Sequence, residues 1–153
     1  MELDKEILEE KFEGFREFIS KEDDKQFISF SSSELIDNNE NYKYSVYDKS
    51  RVNLGVKLWS PSDIGTGKIK MAVESAINTK VNHSNQVTDN NLLYWRKKDA
   101  FIKRESSRSI EQLFFDLYKN KIKDKISFER LVDEGLSYQF IAYLFFIKDS
   151  KTF

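Results

Sequence analysis

YKYSVYDKSRVNLGVKLW, residues 42–59, admits two backbones, and the choice between them sets the fold class. Tyr42, Tyr44 and Val46 alternate with polar residues, and Val52, Leu54, Val56 and Leu58 alternate with Asn53, Gly55 and Lys57. Asp48-Lys49-Ser50 between the two runs would turn a hairpin. The same letters also fit helical spacing: Tyr47, Leu54 and Leu58 share one face, and Val52, Val56 and Trp59 share another. That reading puts Gly55 inside a helix at a cost of about 1 kcal/mol. Periodicity alone slightly favours the hairpin, but the flanking chain reads as helical. The expectation is therefore a mainly α, compact multi-helix single domain over 1–153, with an α+β fold carrying a hairpin at 42–59 as the alternative.

The flanks carry that argument. Upstream, Leu3, Ile7, Leu8, Phe12, Phe15, Phe18 and Ile19 recur at three-and-four spacing and predict an amphipathic helix over 2–20 with an acidic outer face. Ser31 and Glu34 have capping-box spacing and predict a short helix through Ile36. Downstream, Ser60-Pro61-Ser62-Asp63 is a start or turn signal, and Gly65-Thr66-Gly67-Lys68 leads into the helically spaced Ile69, Ala72, Val73, Ala76 and Ile77. The polar, turn-rich residues 80–90 read as a flexible loop, with Asn90 or Asn91 capping the segment that follows. Ser109 with Gln112 predicts another capping box, ahead of Ile110, Leu113, Phe114, Leu117 and Tyr118. A basic connector follows over 119–125. Ser127 then caps a short helix that Gly135 ends, and Ser137 starts the last one. Ten of the twelve residues from Leu136 to Ile147 are apolar, so that helix is central core or an interface.

Composition sets the outer bounds. A chain of 153 residues with 39% hydrophobic residues, thirteen of them Phe, can bury the core of one domain despite 33% charge. The absence of cysteine excludes disulfides, iron–sulfur clusters and thiol nucleophiles. The longest apolar run, Tyr138 to Ile147, falls well short of the about 20 residues a bilayer requires. The expectation is a soluble, cytoplasmic protein. A formal net charge of -1 conceals an asymmetry: residues 1–24 hold ten acidic and four basic side chains, whereas residues 92–125 hold ten basic and five acidic.

Residues 92–108, LLYWRKKDAFIKRESSR, concentrate this positive charge. Arg96, Lys97, Lys98, Lys103, Arg104 and Arg108 face only Asp99 and Glu105, and Tyr94, Trp95 and Phe101 lie among them. Cations neutralise phosphates and release counterions, and aromatic faces stack on unpaired bases, so the mixture suits nucleic acid. A plainer reading makes Trp95 and Phe101 core residues and the cations their solvated rim. On a helix the basic arc would include Leu93 and Ala100, so it is not a clean basic face.

Catalytic constellations are missing. Gly65-Thr66-Gly67-Lys68 resembles the end of a phosphate loop, but Ser62 stands where the first glycine belongs and Ile69 where a magnesium-binding hydroxyl is needed. A tight turn and helix start is the better account, with Lys68 placed to help hold a DNA phosphate. The single histidine, His83, lies in the polar loop, is expected to be solvent-exposed, and cannot by itself build a zinc site or a base-assisted triad. No cofactor motif is complete and no metal site is expected.

Several short stretches resemble the N-terminal portion of bacterial HNH-type restriction endonucleases of the modification or foreign-DNA defence kind. They are Asn41-Tyr42-Lys43, Trp59 with residues 63–69 (DIGTGKI), Asn91-Leu92-Leu93 with Trp95, and residues 141–149 (IAYLFFIKD). The resemblance implies a helical module that precedes a separate nuclease domain, and it implies a helix over 42–58. One histidine cannot supply an HNH site, so cutting would reside outside these residues. The end of the chain at Thr152-Phe153, directly after an apolar helix, reads as a domain cut from a longer protein.

The functional expectation is a DNA-binding or target-recognition module, on plain or modified DNA. Arg96, Lys97, Lys98, Lys103, Arg104 and Arg108 would contact phosphates with help from Lys68, and Tyr94 or Trp95 would read a base. The alternative is a protein-interaction domain, an immunity or regulatory partner, that uses the acidic first helix or the apolar last one.

Overall fold

A computed structural model describes residues 4–36, 42–83, 86–89 and 92–149. The chain divides into two units, Met1–Tyr42 and Lys43–Phe153.

In the first unit, helix α1 (Lys5–Glu22) starts where Asp4 can cap it: the Asp4 carboxylate accepts from the Glu6 and Ile7 amides at 3.1 and 3.4 Å. A carboxylate at this end also opposes the positive pole of the helix dipole. Ile19 is buried, and Phe15 packs on the returning chain with ring centroids 5.8 Å from Phe27 and 5.7 Å from Phe30. Hydrogen bonds close the return. Ser20 Oγ accepts from the Phe27 amide at 2.8 Å, and Asp23 Oδ1 accepts from the Leu35 amide at 2.7 Å. The expected Ser31–Glu34 capping box is replaced. Residues 34–36 are helical, but Ser33 Oγ accepts from the Ile36 amide, and the Glu34 carboxylate pairs with Lys25 Nζ at 2.9 Å.

In the second unit residues 42–59 form neither the hairpin nor a helix running through to Trp59. Helix α2 (Tyr42–Leu54) buries Val46, Ser50 and Leu54, one stripe at four-residue spacing. Gly55 then takes φ 57 and ends the helix. That conformation costs a glycine little and an L side chain more. A 3₁₀ turn, Val56–Leu58, follows. The alternation that suggested strands is coincidental: Val52 and Leu58 are exposed, and of that run only Leu54 is buried.

A second 3₁₀ turn, Pro61–Asp63, has its capping box at Ser60 and Asp63 and leads through the glycine turn into α3 (Lys68–Ile77). Ile69, Val73, Ala76 and Ile77 of α3 are buried. The stretch expected to be a flexible loop instead forms an antiparallel pair, β1 (Lys80–His83) and β2 (Gln86–Asp89), with Val81 opposite Thr88 and Asn82 opposite Val87. Its polar composition concealed it: Asn82 is exposed, and Val81 is the buried anchor of β1. The His83 side chain, expected to face solvent, and the Asn90 and Asn91 caps lie outside what is described.

The last four helices are α4 (Trp95–Ile102), α5 (Arg108–Tyr118), α6 (Asp124–Asp133) and α7 (Tyr138–Lys148). Ser107, not Ser109, caps α5, accepting from the Ile110 amide at 3.2 Å. The Ser109 hydroxyl bonds Glu134, and Gln112 donates to Asp116 at 2.9 Å. Ser127 is likewise not a cap. Lys123 precedes α6, and Ser127 is buried within it with its hydroxyl unpaired. Gly135 ends α6 at φ 79, with the Leu136 amide returning to the Leu131 carbonyl at 3.1 Å, and Ser137 caps α7. The greasy α7 is core: Phe140, Ile141, Tyr143, Leu144, Phe145 and Ile147 are buried. The Phe101 ring of α4 sits 4.5 Å from Phe140 and 5.8 Å from Phe114 of α5.

Within this core one polar knot is fully satisfied. Thr79 and Tyr143 donate to the Ala76 carbonyl at 2.8 and 3.2 Å, and Ser50 donates to Thr79 Oγ1 at 3.1 Å. It ties α2, the end of α3 and α7 together in one register, since a broken member would leave a buried group unpaired. Among the described residues no helix is long and apolar enough to cross a membrane.

Candidate nucleic-acid interface

The sequence-predicted contact residues do not form one surface; the structure distributes them over three places. The first is the start of α4. Tyr94 takes the N-cap position in an extended turn, and the eight-residue helix behind it buries only Phe101. Leu93 anchors the approach. With so little of α4 committed to the core, its first turn projects into solvent. Trp95 is 61% exposed and Tyr94 42%, which overturns the expectation of a core tryptophan, whereas Phe101 is core as expected. The Tyr94 and Trp95 rings stand 5.8 Å apart at 60°, and the Arg96 guanidinium lies 5.1 Å from the Trp95 centroid and 5.7 Å from that of Tyr94. Cation–π attraction of this kind holds the guanidinium against the rings. Lys97, in the same turn, is exposed and Lys98 half-buried.

The second place is the far end of α4. Lys103 Nζ pairs with Asp99 one turn back at 2.7 Å, both groups being largely exposed. Arg104 is a structural clamp. Its guanidinium donates to the Glu134 carbonyl at 2.6 Å and to the Glu134 carboxylate at 2.7 Å, binding α4 to the end of α6. Bidentate use of this kind engages the guanidinium's directional donors.

The third place is the glycine turn, which Lys68 follows and against which Arg108 packs. Gly65 and Gly67 have φ 87 and 86, and the aliphatic stem of Arg108 lies where a Cβ on Gly65 would come, 3.4 Å from its Cγ. Lys68 Nζ pairs with Asp63 at 2.8 Å. That ammonium, aided by the Ser60 amide, holds the Asp63 carboxyl below the usual aspartate range.

An anion already occupies the turn. Glu111 of α5 is 0% exposed, and its carboxylate accepts from the amides of Gly65 at 2.7 Å, Gly67 at 3.1 Å and Lys70 at 2.9 Å. Backbone amides converging at a helix start make an anion site. Here the protein fills it with its own side chain, so these amides are not available to a phosphate. Glu111 belongs to none of the motifs that the sequence displays. Its signal was phase: at about 100° per residue it falls between Tyr118 and Phe115 on the buried face of α5. Lys70 is the companion buried cation, bonded to Glu74 and donating to the Ile102 carbonyl at 3.3 Å, with its ammonium 5.4 Å from the Phe101 ring.

None of the predicted contact residues lines the groove of about 700 Å³ where the C-terminal ends of α2, α5 and α7 meet, around Leu54, Gly55, Tyr118, Asn120, Ile147 and Lys148. Among the described residues no group of three or more His, Asp or Glu side chains is placed to hold a metal ion. No family model, curated protein or solved structure matches the chain.

Proposed function

We propose that the chain is a DNA-binding or target-recognition module whose contact surface is the first turn of α4. The observation that carries this reading is the exposed Tyr94–Trp95–Arg96 corner, with Trp95 61% accessible and a guanidinium held over its ring. Exposing a tryptophan costs the folded state its burial, and the arrangement supplies a stacking face and a phosphate partner together. Lys97 and Lys98 follow on the same helix; Lys103, Lys68 and Arg108 are further cations that reach solvent, and Arg104 serves the fold first. On this proposal the chain would serve as the N-terminal portion of an HNH-type restriction endonuclease acting on modified or foreign DNA, with a fused nuclease domain doing the cutting.

Fluorescence anisotropy with labelled DNA, plain and base-modified, tests the reading. Binding should weaken log-linearly as salt rises, and R96E/K97E should abolish it. Unchanged binding by that variant would sink the assignment.

A second reading rests on α1. Ile7, Leu8, Phe12 and Phe18 are exposed along one side of this helix, opposite an acidic side formed by Glu6, Glu9, Glu10, Glu13 and Glu17. Such a stripe suits a protein partner, whose binding would barely respond to salt. The corresponding role for α7 falls away, because its apolar side chains fill the core of the second unit.

A further inference from the structure

We infer, resting on the nucleic-acid reading above, that the α4 corner takes an unpaired base of single-stranded DNA, stacked on the open face of Trp95. Two features of the corner select a single strand over a duplex. The first is what is exposed. Arg96 lies against the Tyr94 and Trp95 rings, yet Trp95 still presents most of its surface to solvent. A flat π-face rewards contact with another π-face, and in a duplex those faces are hidden inside the stack. Away from its ends a duplex offers no such face, so the control duplex is long, and an unpaired base offers one directly.

The second is how little positive charge is at hand. Lys103 and Arg104 have carboxylate partners, Lys68 sits at the glycine turn with Asp63, Arg108 is exposed but lies at that same turn with its stem against Gly65, and Lys98 is half-buried. Arg96 is the cation on the rings, and Lys97 is the other exposed cation of that turn. A protein that grips duplex through its backbone typically neutralises about 6–10 phosphates. With one cation on the rings, a second in the same turn and a chain of net charge -1, charge alone does not hold a strand, and stacking must carry the larger share. The salt slope follows: two single-strand phosphate contacts predict a log–log slope of about −1.4.

The tryptophans supply a direct readout. Trp59 is 6% exposed and packs edge-on against Tyr118 at 5.7 Å, so a base arriving from solvent reaches Trp95 and not Trp59. The experiment is a titration of the full chain with short oligothymidylate and, separately, with a long blunt duplex, read by both tryptophan emission and anisotropy of the labelled strand. The expected result is quenching by the oligothymidylate and little by the duplex. W95A should bind the oligothymidylate about tenfold or more weakly. W95F keeps a ring to stack on and should bind within a few-fold of the parent while losing the quench. If duplex binds as tightly as the single strand and leaves the emission unchanged, base stacking is wrong and the phosphate-contacting reading stands. If neither binds at low salt, both are wrong.

Discussion

Glu111 shows how one side chain can decide what a motif does. A glycine turn ahead of a helix is an invitation to phosphate, and Lys68 in sequence strengthens it, but the carboxylate of Glu111 accepts three of the amides that a phosphate would need. Charged acceptors form the stronger class of hydrogen bond, and a deserted buried amide costs its full desolvation. E111A should therefore lower the unfolding free energy by about 2–4 kcal/mol, read as a drop in the urea midpoint at unchanged slope. E111Q should cost less, because its amide oxygen can still accept from the glycine amides. A midpoint unmoved by E111A would mean the turn is held by something else. Arg104 teaches the same lesson with opposite charge: in the sequence it belongs to a basic run, and in the fold it is the partner of Glu134.

At the scale of elements, helices were legible wherever their signals are local. The apolar stripes of α1, α3 and α5 follow directly from spacing and α7 from its apolar run, and Gly135 with Ser137 punctuates the α6–α7 junction as expected. Caps were less legible. Ser107, Ser109 and Ser127 are all plausible capping residues, and the choice among them depends on which hydroxyl is drawn off to Glu134 or buried. The β1–β2 ribbon was hidden by composition. Gly55 is the decisive punctuation of α2, because its left-handed φ stops the helix before Val56. A Cβ there has room, its closest neighbour being the Val52 carbonyl oxygen at 3.8 Å, so the cost of G55A is conformational rather than steric. It should be about 1 kcal/mol, and G55N, which tolerates this conformation better, should recover part of it. Thermal or urea melts of the two variants check this, and equal stability of G55A and the parent would refute it.

At the scale of the whole molecule, every buried apolar side chain among the described residues, apart from Ile19 and Phe27, belongs to the second unit. Tyr118 sits in that core, donating to the Leu144 carbonyl at 3.1 Å, and burial pushes its phenol well above the ordinary value of 10.0. The sign follows from linkage. The folded state holds the proton more tightly than the unfolded chain, so this contribution is complete below the unfolded value and is lost as pH rises through the folded one. Stability should fall steeply above pH 10.0 in the parent. In Y118F it should fall less steeply, from a start about 1 kcal/mol lower for the lost hydrogen bond. Urea midpoints measured on both sides of that pH provide the check, and parallel pH profiles would exclude Tyr118 as the titrating group.

A mainly helical fold, the positions of most helices and the gathering of cations among aromatic residues after position 92 are all legible in the amino-acid order, because periodicity and charge are properties of neighbours along the chain. Tertiary structure alone decided that Trp95 is exposed while Phe101 is buried, that Arg104 serves the fold, and that the glycine turn is already filled. The physical reason is separation. Glu111 meets Gly65 from 46 residues away and Arg104 meets Glu134 from 30, and the partner a charge finds at such distances is set by how helices pack, not by any spacing that the chain displays.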